Sequence, residues 1–114
     1  MSEKEILGQV FDLDKMLDYQ EGSVVSRTIM NKNVGTVTLF SFDKDEGLSE
    51  HTAPFDALVY ILDGEAEIII GNQTHIVKKG QMIIMPANEP HALKALKQFK
   101  MMLVMIKASI IVKK

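Results

Sequence analysis

The sequence predicts an all-β fold, a small sandwich or barrel preceded by a short N-terminal helical segment. Three observations carry that reading. From Ser23 onward the apolar residues come in short β-branched runs rather than at helical spacing. Glycine, asparagine and proline punctuate the runs at turn-sized intervals. The connections are also too short for crossover helices of about ten or more residues, which excludes a parallel α/β sheet.

Residues 1–22 form the N-terminal segment, in which most of Ile6, Leu7, Val10, Phe11, Leu13, Met16 and Leu17 fall on one helical stripe. Gly8 and the Asp12/Asp14 pair interrupt it, so a second turn is expected to start near Leu13, capped by Asp12 or Asp14. Residues 23–114 form the barrel, with strands expected over 24–30, 36–42, 57–62, 65–70, 74–78, 82–85, 91–96 and 99–107. Asp63-Gly64 and Gly71-Asn72 predict two hairpins between consecutive antiparallel strands. Pro86 and Pro90 bracket the turn that leads into His91.

The stretch Ile68-Ile69-Ile70 and the last strand, Phe99 to Ile106, are apolar on both faces. The N-terminal segment, a second sheet or a partner subunit must therefore cover the second face. Eight methionines suit an adaptable contact surface, and a homodimer is expected.

At 114 residues, 46% of them hydrophobic, the chain has the size of one domain with a real core. Thirteen basic and fifteen acidic residues leave a net charge of only -2, so neither nucleic acid nor an anionic membrane is an expected partner. The absence of cysteine excludes disulfides, a thiolate nucleophile, iron–sulfur clusters and thiolate zinc sites. Charges break every long apolar stretch, and the start Met-Ser-Glu-Lys-Glu lacks the basic-then-apolar pattern of a leader. A cytoplasmic protein is expected.

The chemistry is sought at three histidines, His51, His75 and His91, because no nucleophile motif, phosphate loop or carboxylate pair offers an alternative. His75 has no motif around it and is expected at the surface or rim. The other two sit in His51-Thr-Ala53-Pro-Phe-Asp56-Ala57, followed after six residues by Gly64, and in Gly80-x5-Pro86-x-Asn88-x2-His91-x3-Ala95. These spacings resemble the two motifs of the cupin superfamily, G-x5-H-x-H-x3-E-x6-G and G-x5-P-x-G-x2-H-x3-N. The resemblance spans residues 35 to 107 and implies a double-stranded β-helix, the jelly-roll barrel. His51, Gly64, Gly80, Pro86 and His91 match. Ala53 stands at the second histidine, Ala57 at the glutamate, Asn88 at a glycine and Ala95 at the asparagine, and Gly47 falls short of its spacing.

Two of the four usual metal ligands are thus methyl groups. The resemblance implies a divalent ion, zinc, iron, manganese or nickel, at His51 and His91, where two imidazoles alone hold it weakly. Asp56 is the acid nearest the lost glutamate, but strand alternation turns it away from the barrel unless a bulge at Pro54-Phe55 rotates it inward. Glu50 and Glu89 meet the same objection. The small residues leave instead a pocket lined by Ala53, Ala57, Val59 and Ala95, with Ile61 and Leu93 nearby and the two imidazoles at its polar end. Neighbours such as Met82, Met85, Met102 or Phe40 could equally fill that space.

Three functional readings follow. The first is a module that binds a small organic molecule in the pocket. The second is a metal-dependent enzyme of the oxygenase, isomerase or decarboxylase type using His51 and His91, and the third is an interaction scaffold. No residue is assigned a catalytic role.

Overall fold

The computed structural model describes residues 2–108, so residues 109–114 of the expected barrel domain lie outside it. Nine strands form two antiparallel sheets among the described residues. They are β1 (Val24–Lys32), β2 (Gly35–Phe42), β3 (Gly47–His51), β4 (Phe55–Asp63), β5 (Glu65–Ile70), β6 (Gln73–Lys78), β7 (Met82–Met85), β8 (His91–Ala95) and β9 (Phe99–Lys107). The five-stranded sheet runs β1-β2-β9-β4-β7 and the four-stranded sheet β3-β8-β5-β6. The jelly-roll barrel is the fold that the motifs implied.

One strand more is present than the sequence suggests. β3 reads Gly-Leu-Ser-Glu-His and carries a single apolar side chain, so it shows neither alternation nor β-branched enrichment. The Asp63-Gly64 turn is also not a hairpin, because β4 and β5 belong to different sheets. Gly64 has φ +77°, and a Cβ there would collide with the Gln98 carbonyl oxygen. It is a corner at which the chain changes sheet. Gly71 does make a true hairpin, with Ile70 opposite Gln73.

The barrel interior is close-packed towards one end. Phe42 and Phe99 stack with centroids 4.4 Å apart, and Val59, Ile61, Ala66, Ile68, Ala95 and Met101 are fully buried around them. The N-terminal segment is not one helix. A single turn, α1 (Glu3–Ile6), is followed by Gly8 at φ +71° and an isolated 3-10 turn over Leu13–Lys15 where the second turn was expected, although Asp12 at its N-cap makes no side-chain cap hydrogen bond and Asp14 lies within it. The predicted stripe fails because Leu7 and Val10 are exposed, Val10 at 99%, and find no packing partner among the described residues.

This segment instead straps the outer face of the larger sheet at its closed end. Leu17 is buried, the Ser41 hydroxyl donates to the Asp18 carbonyl at 2.9 Å, and Arg27 donates to the Met16 carbonyl at 2.8 Å. Tyr19 donates to the Asp63 carboxylate, while burial first and that carboxylate second push its phenol pKa up. Among the described residues nothing covers the rest of the outer face, which is partly to fully exposed. A row of apolar side chains, Met30, Val37, Val104, Leu58 and Ile84, crosses all five strands through successive cross-strand pairs.

Candidate functional site

His51 and His91 are cross-strand partners on β3 and β8, as motif spacing implied. Reaching that register needs a bulge. Leu48 pairs with Leu93 and His51 with His91, so three steps along β3 match two along β8. The extra residue resets the alternation and lets Leu48 and His51 face the same cavity, although an odd spacing would otherwise send them to opposite faces. The structure puts the bulge here and not at Pro54-Phe55, where β4 pairs regularly with β9.

The imidazoles meet edge to face, with Nε2 to Nε2 3.2 Å and ring planes 70° apart. Each is anchored through its other nitrogen. His51 Nδ1 lies 2.8 Å from the Ser49 carbonyl oxygen and His91 Nδ1 3.1 Å from that of Glu89. A carbonyl only accepts, so each Nδ1 carries a proton, and in the neutral rings both Nε2 lone pairs converge. His91 is 4% exposed, and burial holds its pKa below the ordinary value of 6.5, against the Glu89 carbonyl and with a smaller push from His51. His51 is exposed and forms the open side.

The histidines close one end of a cavity of about 30 Å³ lined by Leu48, Ala53, Ala57, Met85, Leu93, Met101, Leu103 and Met105. That space holds one or two waters. On the larger sheet Met85 and Met105 flank Ala57 as its cross-strand neighbours. The loop carrying Ala53 is fixed by the Asn88 amide, which donates to the Ala53 carbonyl at 2.8 Å with Asn88 itself at φ +65°. A larger hollow of about 510 Å³ between Met16–Gln20 and β1 is open to solvent and has no histidine.

Ala53 and Ala57 therefore join His51 and His91 at one cavity. Val59 and Ala95 do not. Both are fully buried one inward position deeper, where the aromatic core closes the barrel, so they pack rather than line. The methionines that narrow the cavity are Met85, Met101 and Met105; Met82 is exposed, and Met102 alternates with the buried Met101 and Leu103 onto the outer face. Sequence reasoning missed Met101 and Met105 as wall residues, although the inward set 99, 101, 103, 105 follows from strand alternation once its phase is known.

Asp56 stays outside the barrel and accepts a hydrogen bond from the Ala87 amide at 3.0 Å. It holds the loop after β7 and does not join the imidazoles. His75 pairs with Ile68 and is half-exposed, away from the cavity. Among the described residues no cluster of three or more His, Cys, Asp or Glu side chains could hold a metal ion. The donors present do not fit a divalent ion bound by three or four nitrogen and oxygen ligands.

Comparison with known proteins agrees with the barrel and its motifs. The family model described as the cupin domain matches residues 38–107, and the chain belongs to that family, among the type-2 conserved-barrel cupins. A conserved protein of unknown function from Streptococcus pyogenes is similar at 40% identity over 90% of both chains, with a TM-score of 0.85. A cupin 2 conserved barrel domain protein from Leptotrichia buccalis shares 43% identity over 85% of this chain and 47% of its own, with a TM-score of 0.83. A cupin superfamily protein from Desulfitobacterium hafniense shares 27% identity over 87% and 91%, again at 0.83. No curated protein matches. No helix among the described residues is long and apolar enough to cross a membrane.

Proposed function

We propose that this cupin is a cytoplasmic, homodimeric binding module that takes a small, largely apolar molecule at the His51–His91 end of its barrel. The carrying observation is the cavity itself, apolar on every wall except for two convergent imidazole nitrogens. In the neutral pair both nitrogens accept, so the matching ligand presents a hydrogen-bond donor, a hydroxyl or an amine, on a small hydrocarbon body. Entry requires the methionines to turn aside. Three rotatable side-chain bonds make methionine suited to that movement. The divalent-metal enzyme reading lacks a third histidine or carboxylate ligand among the described residues.

The dimer rests on the bare outer face, where Ile84 and Ile106 are 51% and 57% exposed beside Val37, Leu58 and Val104. A second copy of the same face would bury the row that crosses all five strands. The binding reading is tested with protein carrying labelled methionine methyl groups, titrated with small alcohols and amines. Shifts concentrated on Met85, Met101 and Met105 and abolished by His51→Ala support it. A set of such compounds that moves none of these methyls overturns it.

A further inference from the structure

The same cavity holds donors that the binding reading does not use, the methionine sulfurs. Two imidazole nitrogens converge at one end, and three thioethers, those of Met85, Met101 and Met105, line the same walls. We propose that His51 Nε2, His91 Nε2 and one of these methionine sulfurs form a site for a soft monovalent metal ion, cuprous copper. It shares its two nitrogens with the organic-ligand reading, and copper uptake and methyl shifts with alcohols or amines are read separately.

The geometry of the nitrogens supports it. Bonds of about 2.0 Å to two nitrogens 3.2 Å apart enclose an angle of about 106°, between trigonal and tetrahedral. The rings' other nitrogens donate to the Ser49 and Glu89 carbonyls, the outer partnership that fixes the tautomer and aim of metal-binding histidines. Two neutral rings so anchored point lone pairs at one another, an unfavourable arrangement that a cation between them relieves.

The choice of ion follows from what is missing as much as from what is present. Divalent zinc, iron and manganese need further imidazole or carboxylate donors, and the positions that would supply them are Ala53 and Ala57. Cuprous copper accepts few ligands and favours thioether with imidazole. No charged carboxylate enters the first shell, which suits a monovalent ion in an apolar cavity. Met85 and Met105 flank Ala57, whose methyl group is the smallest side chain between them, and methionine's three rotatable bonds suit it to reach a ligand position.

The test is an anaerobic titration of the purified full chain with cuprous ion in competition with a chromophoric chelator, together with copper X-ray absorption on the loaded protein. The expected result is one copper per chain, with a sulfur beside two nitrogens in its shell. His51→Ala or His91→Ala should weaken binding by about 100-fold, and at least one of Met85→Leu, Met101→Leu and Met105→Leu by about tenfold. Leucine is close in volume, so these variants keep the wall. The spectrum of the native protein decides the matter should a variant fail to fold. No copper taken from the chelator overturns the proposal, and so does a shell of nitrogen and oxygen alone.

Discussion

Replacing Ala53 by His and Ala57 by Glu rebuilds the ligand set that the cupin motifs carry, and the structure fixes what this should do. Ala57 is 3% exposed and sits between Met85 and Met105 on a wall of a cavity of only about 30 Å³. A carboxylate side chain there and an imidazole at residue 53 exceed that space, so a methionine must move. Overpacking of this kind costs about 1–3 kcal/mol. At roughly 4 °C per kcal/mol for a chain of this size, the metal-free variant should melt about 4–12 °C below the native protein. Four convergent ligands should then hold manganese or zinc. At a hundred times Kd, binding returns about 2.7 kcal/mol, or about 11 °C. Thermal denaturation of both proteins with and without the ion reads this directly. The native melting temperature should barely move, and that of the variant should recover most of its loss. A variant with a native-like β spectrum but no metal-dependent rise would show that residues 53 and 57 do not converge on His51 and His91.

Further outcomes follow from individual residues. Met105→Ala, at a partly buried position, should lose less than the about 2–5 kcal/mol of a fully buried methionine, read by urea denaturation, and should speed ligand entry if methionine is the gate. His91 has a folded pKa below 6.5, so its contribution to stability is present above about pH 6.5 and is lost as pH falls from there through the folded value. His91→Asn should flatten that acid slope; an unchanged slope would place its cause elsewhere. Ile84→Lys or Ile106→Lys on the bare outer face should convert dimer to monomer in sedimentation, whereas Met105→Lys would strike the cavity wall instead. Gly64→Ala, at φ +77° against the Gln98 carbonyl, should lose about 1–2 kcal/mol from backbone conformation alone, with the clash adding to it.

Residues with a strong local signature were legible in the sequence. Val24–Lys32, Gly35–Phe42 and Phe99–Lys107 announce themselves by β-branched and apolar runs, and the paired spacing around His51 and His91 placed both rings at one site. What escaped was set by tertiary structure. β3 is held by its partner β8 and not by its own composition, and its bulge between Leu48 and His51 has no glycine to mark it. Gly64 signals a turn equally well for a hairpin and for a change of sheet, and only the packing of Gln98 behind it distinguishes the two. The N-terminal stripe has helical spacing but too little buried partner surface, so a strap won over a helix. The depth of Val59 and Ala95 likewise depended on how far the Phe42–Phe99 stack reaches up the barrel.

Elemental analysis of tag-free protein purified without chelator tests most directly whether His51 and His91 hold a divalent ion. Manganese, iron, cobalt, nickel and zinc should each be far below one per chain in well-folded protein, because no third histidine or carboxylate joins His51 and His91 among the described residues. Close to one divalent ion per chain, vanishing in His51→Ala and His91→Ala, would contradict it.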